Sequence, residues 1–438
     1  MTTLDRPAVG PSYQALLEQA AAAAAEPQWA RERRRAAFGS FLAQGFPTTR
    51  MEDWRYTSVA PIADTTFAAP QAREASAAQL APHLFEELGG PLLVFLDGRY
   101  QPQLSRVGAL PRGFTLKPLS EALAAPEPTL EKHLGTIGTN DGAPFTALAR
   151  ALATDGVFLH AAAGAVLEQP IQLVFLTQGG AEPELHAQRS LMVFEAGSQV
   201  TIIETHAALS GATTFTAGVL EVVVDENAHV DHYTLQRHNR ESFEITGHYL
   251  RQDRSSTYRH HQLDLGGALV RHNSWAWLVG EGCEATLNGL YVLANRQHLD
   301  NWMRVEHVAE NIPSHEVYKG VLMDESSASF CGRIYVHKEA QKTDAKQTNQ
   351  NLLLSDSAKV NTKPQLEIYA DDVKCTHGAT IGQLDDSALF YLMSRGIDKH
   401  LARNLLVHAF ASDIVERVRV EPLRLRVEEL LTALLPAD

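Results

Sequence analysis

The sequence predicts a mainly β protein in which a solenoid of stacked β-coils lies between two helical ends. Three observations support this fold class. Apolar residues at helical spacing are concentrated near the two ends of the 438-residue chain. Between them, short segments rich in β-branched and aromatic residues alternate with turn residues. In this central part a turn-then-strand pattern recurs, in most cases about every 30 residues, which indicates repeated structural units.

The N-terminal end is predicted to be helical. The stretch Tyr13 to Ala43 is rich in Ala, Leu, Glu and Arg, which are good helix formers. Pro27 divides this stretch into two helices, because proline lacks the backbone N–H that a helix interior needs. Gly45 ends the second helix. Further along, an apolar run closes in Asp97-Gly98, which is typical of a strand that enters a tight hairpin turn.

A loose internal repeat runs through the centre of the chain. Turn residues precede a strand start at six places, and the marker residues are 30, 28, 28, 44 and 30 positions apart: Val200, Val230, Tyr258, Thr286, Phe330 and Val360. We interpret the spacing of 44 as one repeat that carries an insertion. Periods of roughly 20 to 50 residues without helices indicate a solenoid or a propeller, and a propeller would need more blades than this region supplies. A pair of ordinary β-sandwiches with accidental spacing is the alternative.

Helical periodicity returns after Gly382. Asp398 is the predicted N-cap of a helix, whose apolar stripe contains Leu401, Leu405, Leu406, Ala409, Phe410, Ile414 and Val418. Pro422 then separates a last helix. A helical cap suits a solenoid, because its final coil otherwise exposes an apolar face and an open edge. The predicted domains are a mostly helical N-terminal domain (1–150), a β-helix core (151–382) and a C-terminal helical domain (383–438).

Composition excludes several classes of protein. The chain has 38 basic and 52 acidic residues, a net charge of -14, which argues against a nucleic-acid or anionic-membrane surface. No apolar stretch of about 18 residues predicts a transmembrane helix. The N-terminus lacks a signal pattern, and an odd, small number of cysteines suits a reducing compartment, so we expect a cytoplasmic protein without a disulfide framework.

Familiar catalytic motifs are missing from the sequence. It has no phosphate loop, no G-x-G-x-x-G after a strand, no G-x-S-x-G elbow, no H-E-x-x-H and no C-x-x-C. We therefore do not expect the chain to hydrolyse a nucleotide by itself.

The chain contains 19 histidines, most of them in the β region, and their spacings follow no ligand pattern. For each one singly we expect an outward, polar strand position. His229 and His232 are three residues apart, which on a strand places them on opposite faces. This spacing argues against a metal pair.

The densest cluster of chemically active residues is the segment 369–380. If it forms a strand, Cys375 and His377 share one face, about 6.6 Å apart along the strand. A thiolate beside an imidazole suits iron or zinc, but two ligands cannot complete a site. The alternative is a buried cysteine beside a hydrogen-bonded histidine. Asp371 and Asp372 are adjacent, hence on opposite faces, and make a poor acid/base pair.

Long motifs of this sequence resemble the SufB/SufD family. The strongest similarity lies in the C-terminal third, in the segments 343–355, 362–380 and 390–397. Two N-terminal motifs are similar to the SufD branch in particular: Gly45-Phe46-Pro47-Thr48 with Glu52-Asp53-Trp54-Arg55-Tyr56-Thr57, and Val94-Phe95-Leu96-Asp97-Gly98-Arg99-Tyr100. The similarity covers nearly the whole chain and is weakest before about residue 40 and in the middle coils.

The resemblance implies a right-handed parallel β-helix between helical terminal domains. It also implies a non-catalytic scaffold subunit of a cytoplasmic complex that assembles iron–sulfur clusters. Such a subunit pairs with SufB through the β-helix and with the SufC ATPase through the C-terminal helices, and it forms a homodimer when isolated. The isolated chain is expected to bind no cofactor tightly, whereas the complex would share an iron ion or an iron–sulfur cluster at the SufB seam.

Residue roles follow from the same resemblance. His377 matches a histidine proposed to face SufB as a cluster or iron ligand, and Cys375 matches the neighbouring cysteine. The region that touches SufC is matched by Leu405, Leu406, His408, Ala409 and Phe410. Cys283 and Cys331 match no known motif, which fits an auxiliary subunit without its own sulfur-accepting thiol. We expect the His377 ring to point out of the coil, toward a neighbouring chain.

Two other functions stay open at this point. One is a β-helix enzyme that acts on an acidic or sugar substrate through Asp371, Asp372 and Lys374. The other is a self-associating structural protein with no metal role.

Overall fold

The computed structural model describes residues 10–23, 25–138 and 142–435. It is a parallel β-solenoid with helices at both ends, as the sequence predicts. The helix break at Pro27 and the hairpin at Asp97-Gly98 are also confirmed. Within the described residues no helix is long and apolar enough to cross a membrane.

The elements are numbered in chain order within the described residues. The strands are β1 (Leu92–Leu96), β2 (Arg99–Tyr100), β3 (Phe114–Pro118), β4 (Val157–Ala161), β5 (Ile171–Thr177), β6 (Glu184–Phe194), β7 (Gln199–Ala208), β8 (Thr214–Val224), β9 (His229–Arg237), β10 (Phe243–Gln252), β11 (Thr257–Asp264), β12 (Leu269–Leu278), β13 (Glu284–Leu293), β14 (His298–His307), β15 (Pro313–Leu322), β16 (Ser327–Val336), β17 (Asp344–Leu353), β18 (Lys359–Ile368) and β19 (Lys374–Gly382). The helices are α1 (Pro11–Ala23), α2 (Gln28–Gln44), α3 (Ala60–Ala63), α4 (Ala77–Leu80), α5 (Leu119–Leu123), α6 (Pro128–His133), α7 (Pro144–Leu152), α8 (Asp386–Ser394), α9 (Lys399–Val415) and α10 (Glu421–Leu434). Three short 3-10 turns are Glu52–Trp54, Ala81–His83 and Glu86–Leu88.

Each coil of the solenoid contributes one strand to each of two sheets. From β4 onward the even-numbered strands pair in parallel in one sheet and the odd-numbered strands in the other. We call these the even sheet and the odd sheet. The N-terminal strands join them, since β1 pairs in parallel with β5 and β3 pairs antiparallel with β4. Both sheets end on the last coil, the even sheet with β18 and the odd sheet with β19.

The repeat spacing of 44 residues is not an insertion, so that interpretation is wrong. Thr286 lies in the odd sheet, where it pairs with His315 of the next coil. Phe330 and Val360 lie in the even sheet. The step from Thr286 to Phe330 therefore spans about one and a half coils of ordinary length.

The turns between coils explain the predicted turn-then-strand pattern. Their central residues adopt left-handed backbone conformations: Gly197, Asn227, Ser255, Gly282, Asn311 and Lys342. Each donates its backbone N–H to a carbonyl in the turn of the next coil, for example Asn227 to Arg254 over 2.9 Å. The following residue in each turn is fully or almost fully buried, and in one turn it is Cys283. Burial raises the pKa of Cys283 to about 12, so this thiol is an inert packing residue.

The expectation that the histidines of the β region occupy outward, polar positions is wrong for eight of them. They are buried: His186, His206, His232, His238, His260, His261, His272 and His307. The interior of the middle coils is polar, so histidines there find partners. His232 Nδ1 lies 2.8 Å from the Tyr258 hydroxyl, and His272 Nε2 lies 3.0 Å from Asp264 Oδ1. The predicted separation of His229 from His232 is confirmed, since His229 is exposed.

The helices cover the outer faces of the two sheets. The N-terminal helices pack against the even sheet, where Phe145 of α7 meets Phe215 of β8 edge to face. The C-terminal helices pack against the odd sheet, where Val407 and Ile414 join a core with Tyr233 of β9. This packing buries most of both outer faces and leaves the end of the last coil uncovered.

One buried carboxyl group makes the stability of the fold depend on pH. Glu316 of β15 is fully buried and accepts a hydrogen bond from Gln347 of β17, with Ser314 Oγ 3.3 Å away. Burial raises the pKa of Glu316 from 4.5 to about 7. The folded state therefore holds this proton at pH values at which the unfolded chain has lost it.

We expect the wild-type chain to lose stability as the pH rises from about 4.5 through 7, because ionising Glu316 costs more in the folded state. Between pH 5 and pH 8 the free energy of unfolding should fall by about 2 to 3 kcal/mol less in Glu316→Gln, which mimics the protonated acid, than in the wild type. Urea unfolding at the two pH values measures it. Glu325→Gln, at an exposed position, is the control and should behave as wild type. Equal pH dependence in all three chains would contradict the assignment.

Candidate functional site

The last coil forms an open end, which we define as β18, β19 and the side chains that point into the unfinished coil. Two side chains at the same register position show that burial decreases from β17 to β19. Asn351 of β17 is 2% exposed, whereas its partner Ile381 of β19 is 47% exposed. Ile368 of β18 and the following Tyr369 are also exposed. Among the described residues no further strand covers this edge.

Cys375 and His377 both lie on β19, which confirms the predicted strand. Cys375 pairs in register with Ala345, and His377 pairs with Gln347. Ala345 and Gln347 are buried inside the preceding coil. The register therefore places Cys375 and His377 in columns that point into the coil, so the expectation that the His377 ring points out of the coil is wrong. Both side chains reach solvent because, among the described residues, no further coil covers β19.

The two side chains differ in their surroundings. Cys375 is half-buried, and burial raises the pKa of its thiol, with the Asp344 carboxylate adding to the rise. A metal ion bound there would have to displace the thiol proton. His377 is exposed, and in the described parts of the chain its ring makes no hydrogen bond or ion pair. The imidazole is thus free to act as a ligand, while the thiol is the less ready of the two.

The acidic pair beside this site does not form an acid/base centre. Asp371 and Asp372 lie in the exposed turn before β19. Asp372 forms an ion pair with Lys342, and its backbone N–H donates to Gln341 Oε1 over 3.0 Å. General acids in enzymes depend on buried or closely paired carboxyls, so this turn has the character of a solvated surface.

The five residues proposed to touch a partner ATPase do not share one surface of α9. Leu405 is 44% exposed and Ala409 is exposed, whereas Leu406, His408 and Phe410 are partly buried. The Phe410 ring packs under the Lys319 ammonium at 4.7 Å, and His408 Nε2 lies 3.3 Å from Thr432 Oγ1 of α10.

Leu401, which is not among the residues predicted to contact SufC, is 55% exposed one helical turn before Leu405. The i, i+4, i+8 spacing of Leu401, Leu405 and Ala409 places them on one face. We call this face the α9 apolar face. The spacing of these three residues was visible in the sequence, but there they were included in the apolar stripe expected to face the core.

Helix α8 adds apolar surface between the open end and α9. Its described residues include no buried one, and Phe390, Tyr391 and Met393 are 72%, 57% and 42% exposed. The helix stops before Gly396, which adopts the left-handed conformation of a C-terminal cap. Uncovered apolar patches of this kind mark interaction surfaces.

Two family models match nearly the whole chain. Residues 11–173 match the SufBD protein N-terminal region, and residues 175–410 match the SufBD core domain of the SUF system for FeS cluster assembly. The core match covers β6 to α9 and includes both β19 and most of the α9 helix.

Curated relatives agree with these models. An iron–sulfur cluster assembly SufBD family protein of Synechocystis is 33% identical over 96% of this chain and 94% of its own length. The iron–sulfur cluster assembly protein SufD of Escherichia coli is 33% identical, over 88% of each chain. The chloroplastic protein ABCI7 of Arabidopsis thaliana is 33% identical over 60% of this chain and 57% of its own. On this evidence of fold and similarity, the chain is a SufD-like member of the SufBD family of iron–sulfur cluster assembly proteins.

Proposed function

We propose that this chain is a non-catalytic scaffold subunit of a cytoplasmic iron–sulfur cluster assembly complex. It pairs with SufB through the open end of its β-solenoid and with the SufC ATPase through its C-terminal helices. A second copy of the chain takes the place of SufB when the protein is isolated. The observation that carries the proposal is the uncovered last coil, in which a cysteine and a histidine lie on the edge strand.

The open end has the chemistry of an unfinished sheet. Within the described residues, the outer edges of β18 and β19 present backbone N–H and C=O groups that no strand pairs with, and such edges pair readily with another strand. Exposed Ile368, Tyr369 and Ile381 lie beside them. Burying these side chains against another chain would stabilise the pair by the hydrophobic effect. A partner with the same coil geometry continues both sheets at once.

The pairing would also complete a metal site. Cys375 and His377 supply two ligands at most, and a closed site needs about four. Ligands from the facing end of SufB would supply the remainder. The thiol and imidazole donors suit iron, which is the cargo of the complex rather than a resident cofactor of this chain.

The C-terminal helices offer the second contact. The α9 apolar face and the exposed side chains of α8 lie on the helices that follow the open end in the chain. A helix face with aliphatic residues one turn apart is suited to packing against a helix or groove of a partner. We therefore centre the SufC contact on Leu401, Leu405 and Ala409, with Phe410 and His408 supporting the helix from behind.

Replacing the exposed imidazole should separate assembly from iron binding. In His377→Ala, the complex with SufB and SufC should form normally, because the ring makes no contact that holds the fold. Its iron or cluster content after reconstitution should fall at least by half. Size exclusion and iron analysis of the same sample measure both. Thr376→Ala, on the other face of β19, is the matched control, and wild-type iron loading in His377→Ala would refute the ligand role.

A charge on the α9 apolar face should weaken SufC binding. Leu405→Asp introduces a carboxylate that must be desolvated in the contact, so we expect at least a tenfold higher Kd, which corresponds to about 1.4 kcal/mol. Leu425→Asp places the same change at an exposed leucine of α10 and should leave the Kd unchanged. Calorimetric titration of SufC into each folded chain provides the measurement. Equal affinity of Leu405→Asp and wild type would contradict the proposed contact.

A further inference from the structure

A second group of potential ligands lies inside the solenoid, several coils away from the open end. It consists of His206 of β7, Glu244 of β10 and His238, which follows β9. We call these three residues the lumen cluster. One ligand atom from each lies within 4.8 Å of the others. All three residues are at least nine-tenths buried.

Among the described residues, no lysine or arginine forms an ion pair with the carboxylates of this region. Glu244 Oε2 accepts a hydrogen bond from Gln236 Nε2 at 3.0 Å and lies 3.4 Å from His238 Nε2. The ion-pair partners of the neighbouring Glu204 in this part of the structure are imidazoles, at 3.3 Å for His206 Nε2 and 3.5 Å for His232 Nε2. Buried carboxylates are normally paired with a cation or coordinate a metal ion.

The ring nitrogens of the lumen cluster have unused capacity. Among the described residues, His206 Nδ1 and His238 Nδ1 are buried without a hydrogen-bond partner, and His238 Nε2 faces the Glu244 carboxylate at 3.4 Å. His206 Nε2 lies 3.3 Å from Glu204 Oε2, so Nδ1 is the ring nitrogen left to face an ion, which would take the place of any proton there. A carboxylate behind the far nitrogen of a histidine is the usual support of a metal-bound imidazole.

A similar cluster nearer the N-terminus shows how an arginine can neutralise such carboxylates without a metal ion. Asp97, Glu184 and His186 also come within 4.8 Å of one another. There the guanidinium of Arg73 binds both carboxylates, at 2.6 Å from Glu184 Oε1 and 3.0 Å from Asp97 Oδ2. The arginine supplies the positive charge, so that cluster needs no ion. In the part of the chain that the structure describes, no arginine or lysine forms an ion pair with the lumen cluster.

Space for an ion adjoins the lumen cluster. A cavity of about 70 Å³ inside the coils is lined by Glu204, His206 and Glu244, together with His248, His260 and His272. A cavity of this size with carboxylate and imidazole groups in its wall has room for several water molecules. A metal ion bound at its wall could therefore keep water in its remaining coordination positions.

We propose that the lumen cluster binds one divalent first-row transition-metal ion through His206, His238 and Glu244. Two imidazoles and a carboxylate suit Zn²⁺ or Fe²⁺ better than Mg²⁺ or Ca²⁺, which prefer all-oxygen ligands. Glu204 and Gln236 act as positioning residues, because they orient His206 and Glu244. To bind, the three ligand atoms close to about 3 to 3.5 Å from one another, given bonds of about 2.1 Å.

The test uses the full-length chain, stripped of metal and titrated with Co²⁺, a spectroscopic probe for such sites. We expect one tight Co²⁺ per chain with a visible absorption band, and a rise in the melting temperature because the ion binds the folded state. His238→Gln should weaken binding ~100-fold or more, and Glu204→Gln about tenfold. His186→Gln makes the same change in the arginine-paired cluster and should leave Co²⁺ affinity unchanged.

The same titration in His377→Ala separates this inference from the proposed function. Loss of the site in His377→Ala would show that the ion binds at the open end, and it would overturn the lumen assignment. Equal binding by wild type and His238→Gln would overturn it as well. If His238→Gln does not fold, as judged by circular dichroism, Glu204→Gln decides, and unchanged Co²⁺ affinity in that variant refutes the site.

Discussion

Coil-to-coil strand pairing is the interaction on which the rest of this molecule depends. Each strand from β6 to β17 uses both edges, one toward the preceding coil and one toward the next. The stacked turns follow the same rule, since each central turn residue donates to a carbonyl one coil further on. A solenoid built this way satisfies its backbone only while another coil follows. The last coil therefore has unpaired backbone groups that a partner chain would satisfy. The proposed iron ligands, Cys375 and His377, lie on this coil.

The same stacking fixes what lies inside. A register position repeats from coil to coil, so a polar residue in the interior can meet polar residues above and below it. His232 and His260 share one such column, with their rings 5.0 Å apart. The lumen thus holds carboxylates and imidazoles next to apolar residues such as Phe175. A solenoid with a polar interior can hold charged groups that a globular core would exclude.

Much of the fold could be predicted from the sequence because its signals are local. Pro27, the Asp97-Gly98 turn and the returning helical period after Gly382 each act within a few residues. The prediction that the histidines lie on the outside failed because it considered only their polar chemistry. Alternate residues of a strand face opposite sides of the sheet, and the position of a histidine in its strand decides which side it faces. The spacing of 44 was misinterpreted because two strand series, one per sheet, interleave along the chain. The alternation of side chains along β19 also makes Cys375 and His377 face into the coil, and only the pairing register with β17 shows which face that is.

Hydrogen exchange at the open end tests the central claim most directly. The account predicts that half of the β19 amides, those that do not pair with β17, exchange quickly in the isolated chain when it is diluted far enough to be monomeric, and at least ~10-fold more slowly in the complex with SufB, because exchange reports local opening. Amides of β9, inside the stack, should exchange equally in both states. Unchanged exchange in β18 and β19 within a complex that demonstrably forms would show that the partner binds elsewhere, and it would contradict the account.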